Sequence, residues 1–475
     1  MAKTPDLILI CIDDLGATDL GCFGSSFYET PHLDALAARG MRFTEAYATC
    51  HVCSPTRASL LTGRYPARVG ITQFIGGRSQ ARLADVPYLN HLPHELTTVA
   101  SALRDGGYAT WHVGKWHLGG EGSLPTDHGF DRNIGGRDWG MPKEGYWAPW
   151  GIPSMPEAPA GTYLTDALTD AAIGLVRDRD RDKPYFLNLW HYAVHTPIQA
   201  PPILVEKYKA KARALGLDRI TPHSLGEHYP CEHKRHQRVI RRHLQSDPTY
   251  AAMIENLDTN LGRLLEAVAV YGDPANTLVV FTADNGGLAT AEGAPTCNSP
   301  WFEGKGWAYE GGTRVCQIAS WPARIGAGTT STQPVTSCDV FPTFLDAAGL
   351  PTRPDDHCDG LSLVPLFSGG TLTREDLFWH YPHYSNQGDS PSCSIRSGSW
   401  KLIEHFENGK LELYDLAKDP SERQDLSGKP DQADRLRDLH RRLVQWRGEV
   451  LAKIPEANPD WVADTVAKGW DPAHV

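Results

Sequence analysis

No stretch of this sequence is long and apolar enough to span a bilayer, which takes about 20 consecutive apolar residues. A secretory leader is also missing: in MAKTPDLILICIDDLG the apolar run is short and ends in two aspartates, not in a small-residue cleavage site. The expectation is therefore a cytoplasmic protein as written, or a periplasmic or secreted one whose leader has been removed. Positive charge is not in excess. Lys and Arg total 46 against 57 Asp and Glu, a formal net charge of -11, which disfavours a general nucleic-acid binder. An anionic substrate stays open, because a local cluster of cations overrides the global sign. The ten cysteines follow no regular framework, and a chain of 475 residues needs no disulfide staples, so most read as reduced, buried thiols. There is no internal repeat. There is no P-loop either, since Lys115 in WHVGKWHLGG is followed by Trp116 where Ser or Thr is required.

What is present alternates. Apolar strand-like runs (DLILICI, ATWHVGK, PYFLNLWHY, NTLVVFTA) are separated by amphipathic helical stretches such as PHLDALAARGM, YLTDALTDAAIGLVRDR and YAAMIENLDTNLGRLLEAVAVYG. This predicts an α/β fold over residues 1–350, a mostly parallel sheet sandwiched by helices. From Pro351 the texture changes. CSIRSGSWKLIEHF and GKLELYDL predict short antiparallel strands, and QADRLRDLHRRLVQWRGEV a closing helix, so 351–475 reads as a smaller α+β subdomain packed on the first. A basic, His-rich stretch at about 205–245 breaks the rhythm. It reads as an exposed insertion bordering an anionic substrate, or as a zinc site from His223, His228, Cys231, His233 and His236, although that spacing fits no standard finger.

Chemistry-bearing residues gather at predicted strand ends, where sites form in open α/β sheets. One strand delivers Asp13 and Asp14, a much later one Asp284 and Asn285. Either pair alone is an ordinary turn cap. Together they suit a hard cation such as Ca2+ or Mg2+, without which three carboxylates would repel one another. Lys115, His117, His191, His195 and Lys305 lie in comparable loops and supply point cations and imidazoles fit for a tetrahedral oxyanion. In ATCHVCSPTRASLLTGRYP, Pro55 fits a first helical turn and Gly63 a stop. Cys53 then sits at a helix start, with Arg57 one turn on along the same face, an arrangement compatible with a reactive thiolate.

C-x-P-[ST]-R followed by L-x-G-R resembles the hallmark of the formylglycine-dependent (type I) sulfatases of the alkaline phosphatase superfamily, and CSPTRASLLTGR matches it at every position. ILICIDDLG, GYATWHVGKWHLG, HYAVHTPIQAP, VVFTADNGG, GKGWAYEGGTRV, IRSGSWKLI and LELYDLAKDPSERQDL are similar to the family's other segments, in order, from about Leu7 to Leu426. The resemblance implies an alkaline-phosphatase-like fold and a sulfuric ester hydrolase. Cys53 would be oxidised to formylglycine by a maturation enzyme that reads C-S-P-T-R. Asp13, Asp14, Asp284, Asn285 and the modified Cys53 would hold Ca2+. Arg57 would orient the aldehyde hydrate, Lys115, His195 and Lys305 would bind sulfate, and His117 would take the hydrate's proton. One hydroxyl of the hydrate would attack sulfur, and the other would lose its proton and expel sulfate.

Two departures stand out: Phe302 and Glu303 replace the Leu-Arg that usually precedes the lysine loop, and Cys316 takes the place of a proline. Trp139, Tyr146, Trp147 and Trp150, and His380 and His383 in FWHYPHY, suit a sulfated sugar or ordinary packing equally. The resemblance, through the HYPHY-like segment, implies a sulfated carbohydrate as substrate, with a galactose-type or amino-sugar unit expected. The rival readings are a phosphonate monoester or phosphodiester hydrolase of the same superfamily, and a carbohydrate-binding protein with a dead site. Cys50 is expected to be a bystander packed against the helix that Cys53 opens.

Overall fold

β1 (Asp6–Ile12) is buried at all seven positions, as an unbroken apolar run requires of a strand covered on both faces. The computed structural model describes residues 4–77, 80–156 and 158–461, so the expected end of the smaller subdomain, 462–475, lies outside the described residues. β2 (Met41–Tyr47), β3 (Ala109–Gly114), β4 (Arg132–Ile134) and β5 (Tyr185–His191) follow. β6 (His223–His228) and β7 (Arg238–Arg242) form a separate hairpin. β8 (Thr277–Ala283), β9 (Arg314–Ser320), β10 (Thr329–Ser331) and β11 (Val335–Thr336) complete, among the described residues, a large nine-stranded sheet.

Its order is β10-β2-β9-β8-β1-β5-β3-β4, with β11 also paired to β2. β8, β1, β5, β3 and β4 run parallel, while β9 runs antiparallel to both β8 and β2. Helices cover the sheet in two groups. The long helix Pro248–Tyr271, capped by the Asp247 carboxylate on the amides of Thr249 and Tyr250, packs with Pro31–Arg39, Leu164–Arg177 and Pro202–Ala214. Cys53–Thr62 and Val99–Asp105 pack with Val340–Ala348. The fold is thus the mixed, mostly parallel α/β sandwich expected. β12 (Asp376–Tyr381), β13 (Ser392–Ser397), β14 (Trp400–His405) and β15 (Leu411–Asp415) form the antiparallel second sheet, with the helix Ala433–Glu449 packed on it.

The basic stretch needs correcting. Its first part lies in the helix Pro202–Ala214, which belongs to the layer covering the sheet and buries Tyr208 and Ala212. Only the β6–β7 hairpin projects, and it is anchored: Tyr229, Cys231 and Val239 pack with Ala81, Leu288, Ala291, Trp307 and Tyr384. The zinc reading fails. Cys231 is buried in that apolar cluster, His223 meets the Arg242 guanidinium, His228 meets the Arg235 carbonyl, and His233 and His236 are exposed.

β3 ends tightly. Gly114 adopts φ +102°, and a Cβ there would lie 1.9 Å from the Trp190 carbonyl oxygen of β5. Gly114→Ala is expected to lower unfolding stability by about 2–4 kcal/mol, from strain and a parted strand pair. Urea titration checks this; a midpoint within error of wild type would contradict it.

Candidate active site

The registers of the parallel strands bring the expected residues to one edge. Ile12 pairs with Ala283 and with His191, and Gly114 with Trp190, so the chain leaves β1, β8, β5 and β3 at neighbouring points on the same side. The residues that follow are Asp13 and Asp14, Asp284 and Asn285, the His195 loop, and Lys115 with His117. Asp13, Asp14, Asp284, Asn285, Arg57 and Lys115 are at most 1 % exposed.

Their charges interlock. Lys115 Nζ lies 2.5 Å from Asp13 Oδ2, and Lys305 Nζ lies 2.8 Å from Asp14 Oδ2. The Arg57 guanidinium grips Asp284 Oδ2 through Nε at 2.9 Å and Nη2 at 2.7 Å, donates to the Lys115 carbonyl, and lies over the Trp190 ring. Burial drives the Asp13 pKa well up against the pull of Lys115, with Asp284 and Asp14 adding to the rise. Burial acts on Asp14 in the same sense, but Lys305 and His195 outweigh it and hold its pKa below the carboxylate range. Such opposed environments within one cluster mark functional sites.

Cys53 opens the helix Cys53–Thr62, with Gly63 left-handed at its end, as Pro55 and Gly63 predict. Every residue of that helix is buried. Cys53 Sγ lies 3.1 Å from His117 Nδ1, and the other ring nitrogen, Nε2, meets the Ile75 carbonyl at 3.3 Å. Burial, then Lys115 and Arg57, push the His117 pKa well down, which keeps the imidazole neutral and able to accept a proton. Burial raises the Cys53 thiol, so the unmodified side chain is a poor thiolate despite its helix start. Cys50 is tied to the same helix, its amide and carbonyl both bonded to Thr56 Oγ1, and its side chain packs with Val52 and Tyr381.

His195 Nε2 accepts from Lys305 Nζ at 3.0 Å and stands 3.6 Å from Asp14 Oδ2. Burial and then Lys305 lower its pKa to about 4. His191, four residues earlier at the end of β5, is buried without a polar partner among the described residues. For a cation, the donor set fits. Among the described residues, Asp13 Oδ1 and Asn285 Oδ1 are buried oxygens that accept no hydrogen bond, and Asn285 Nδ2 donates to Asp14 Oδ1 at 2.8 Å. Asp13, Asp14 and His195 bring ligand atoms within 4.8 Å of one another.

The aromatic candidates divide. Tyr146 and Trp150 are buried, and Tyr146 Oη donates to the carbonyls of Tyr192 and His195, which pins the His195 loop. Trp147 is half-buried against Tyr163. Trp139 is half-buried beneath Lys143 in a loop that covers His117: the His117 amide bonds the Arg137 carbonyl, and a Cβ on Gly140 would lie 2.8 Å from the imidazole. His380 is buried and hydrogen-bonds the Lys453 carbonyl, while His383 bonds Thr72 and Asp85, so both rings are committed to fastening neighbouring segments. Glu303 does not face the lysines. It pairs at 2.7 Å with Arg241 of β7, burial lifting its pKa to about 7 against that pairing, and the pair ties the hairpin to the lysine loop. Thr196, within HYAVHTPIQAP, meets the His195 ring, and Glu292 and Gln387, which no sequence motif marks, follow it in a hydrogen-bonded chain.

A family model described as Sulfatase matches residues 5–350, and a second, N-sulphoglucosamine sulphohydrolase, C-terminal, matches residues 298–449. Human arylsulfatase A is 31 % identical over 508 residues, covering 100 % of this chain and 92 % of the relative. N-acetylgalactosamine-6-sulfatase of Sus scrofa is 30 % identical over 518 residues, 99 % of this chain and 90 % of its own. The crystal structure of Ps i-CgsB in complex with k-i-k-neocarrahexaose superposes with a TM-score of 0.73 at 27 % identity, over 98 % of this chain and 96 % of that one.

Tyr146→Phe leaves the Tyr192 and His195 carbonyls without their donor in a buried setting. A loss of about 1–3 kcal/mol is expected, together with a fall in turnover that exceeds any change in KM. Denaturant melts and steady-state kinetics check this; unaltered kinetics would show that the loop is pinned by other means.

Proposed function

The chain belongs to the sulfatase family and is a sulfuric ester hydrolase, and from that premise we propose that it desulfates a sulfated carbohydrate through a formylglycine made from Cys53. The carrying observation is the setting of Cys53: 3.1 Å from His117 Nδ1, at a helix start, beside the interlocked carboxylates and lysines. The relative that acts on an N-acetylgalactosamine sulfate and the neighbour holding an oligosaccharide support a sugar substrate. Trp139, in the loop over His117, is the aromatic best placed to meet its ring.

Asp13, Asp14, Asp284, Asn285 and the Cys53-derived side chain would hold Ca2+, or Mg2+, which stabilises negative charge on sulfuryl oxygens. As its hydrate, formylglycine supplies one hydroxyl to attack and a second whose deprotonation lets sulfate leave. The chain's own residues do the rest. Arg57, locked on Asp284, fixes the helix start that presents the side chain at position 53. Lys115 and Lys305 meet the sulfate's outer oxygens as point cations in a water-poor pocket, where each counts for far more than in bulk water. His117 takes the proton from the position its Nδ1 now contacts. His195, pinned by Tyr146, lies on the side of the departing alcohol oxygen; its Nε2, which accepts from Lys305 in the resting site, must first be protonated before it can pass a proton to that oxygen.

This reading needs a maturation enzyme as partner, and it makes a direct prediction. The tryptic peptide carrying Cys53 weighs roughly 18 Da less than its thiol form, a covalent change that mass spectrometry reads. Cys53→Ala abolishes turnover of 4-nitrophenyl sulfate, whereas Cys50→Ser keeps it. Chelation lowers turnover, and Ca2+ restores it. Full activity in Cys53→Ala would overturn the mechanism, and preference for an aryl phosphonate over the sulfate by orders of magnitude would overturn the substrate class.

A further inference from the structure

The floor of the site pairs three buried cations with three buried carboxylates, and one more carboxylate stands at its mouth. Glu292 opens a short left-handed stretch, with φ of 53° at Glu292, 85° at Gly293 and 42° at Ala294. Its Oε2 accepts from Thr196 Oγ1 at 3.3 Å, and its Oε1 accepts from Gln387 Nε2 at 2.9 Å. Both donors are fixed in turn. Thr196 Oγ1 lies 3.2 Å from His195 Nδ1. The Gln387 carbonyl accepts from Trp307 Nε1 and Thr290 Oγ1, each at 3.0 Å, and its amide bonds Ser385 Oγ at 3.0 Å. The carboxylate is therefore held by the His195 loop on one side and by the second sheet's loop on the other. Burial works to raise its pKa, but Lys305 and His195 outweigh it and favour the ionised form.

Its place is on the leaving-group side, next to the imidazole that serves the departing oxygen. An anion there opposes the sulfate it sits beside. It becomes favourable only when the leaving group brings a hydrogen-bond donor to it, because an ionised carboxylate only accepts. A bond to a charged acceptor is among the stronger kinds, and an unpaired or like-charged neighbour is penalised, so one residue both selects and rejects.

We propose that Glu292 is a specificity-determining residue: it accepts a hydrogen bond from a hydroxyl or N–H adjacent to the ester-bearing carbon, and it excludes leaving groups that carry a second sulfate or a carboxylate at that position. This rests on the sulfate-ester reading above.

Three aryl esters test it: 4-nitrophenyl sulfate, 4-nitrocatechol sulfate, which adds a neighbouring hydroxyl, and the disulfate of 4-nitrocatechol. Wild-type enzyme should favour the catechol monosulfate by kcat/KM. In Glu292→Gln and Glu292→Ala that preference over the phenyl ester should shrink about tenfold, the scale of a lost hydrogen bond to a charged group, and the disulfate should gain on the monosulfate. The two ratios cancel any general damage to folding or to His195. Unchanged ratios in both variants, whether the esters slow together or not at all, would overturn the proposal while leaving the sulfatase reading intact. Failure of wild-type enzyme with converted Cys53 to cleave any of the three would overturn both.

Discussion

Everything at this site depends on the mutual neutralisation of three buried carboxylates and three buried cations. Asp13, Asp14 and Asp284 are each gripped by a different partner, Lys115, Lys305 and Arg57 respectively. Removing one charge from water costs several kcal/mol even after relaxation, so no member could be buried alone. The consequence is geometric. The six side chains come from four strand ends or loops and one helix, and the pairings hold only if all arrive at one place. The charges therefore act as a registration device for the sheet, as well as the floor of a site.

The parallel sheet makes that arrival possible. Four neighbouring parallel strands, β8, β1, β5 and β3, release their chains on the same side, so residues more than 250 positions apart in sequence, such as Asp14 and Asp284, become neighbours; the Asp14 amide donates to the Asp284 carboxylate across a separation of 270. The rest of the scaffold closes on this edge from outside. The Cys53 helix brings Arg57 underneath, the loop through Gly140 lies against His117, and the second sheet sends Gln387 to the opposite rim. A Cβ on Gly306, one residue after Lys305, would meet Ser385 Oγ at 2.2 Å, which shows how closely the two parts of the chain are fitted around that lysine.

How much of this the sequence discloses depends on whether the signal is local. The strands were legible because β1, β5 and β8 are uninterrupted apolar runs, and the Cys53 helix because Pro55 and Gly63 punctuate it. The carboxylates were legible because each pair ends such a run. The helix Pro202–Ala214 reads in sequence as part of an insertion because its lysines dominate the composition, while only Tyr208 and Ala212 are fully buried, with Leu204 and Val205 packed partly against the core. FWHYPHY shows that aromatics are present, but the direction of each ring is decided by pairing with β13 and by partners such as Asp85 and Lys453 far along the chain. Glu303 breaks the usual pattern beside the lysine loop, yet nothing nearby in sequence reveals that Arg241, 62 residues earlier, absorbs its charge. Glu292 has no local signal at all: its two donors lie 96 and 95 residues away.

The same contrast separates chemistry from choice of substrate. The groups proposed to act on the sulfate ester sit at strand ends, at a helix start and in the loops of His195 and Lys305, and they lie within recognisable motifs. The groups proposed to meet the leaving group, together with the residue that holds one of them, sit on loops supplied by three separate parts of the chain: Trp139 over His117, Glu292 after β8, and Gln387 from the second sheet. Loops tolerate change that strand ends do not, since altering a loop residue leaves the registers of the sheet and the six buried charges untouched. A scaffold of this kind can keep one reaction while its rim changes, and the rim of this chain carries an acid, Glu292. That acid stands a short distance from Lys305 and His195. On the proposed reading, Lys115 and Lys305 favour one sulfate, and the acid disfavours a second anion beside it.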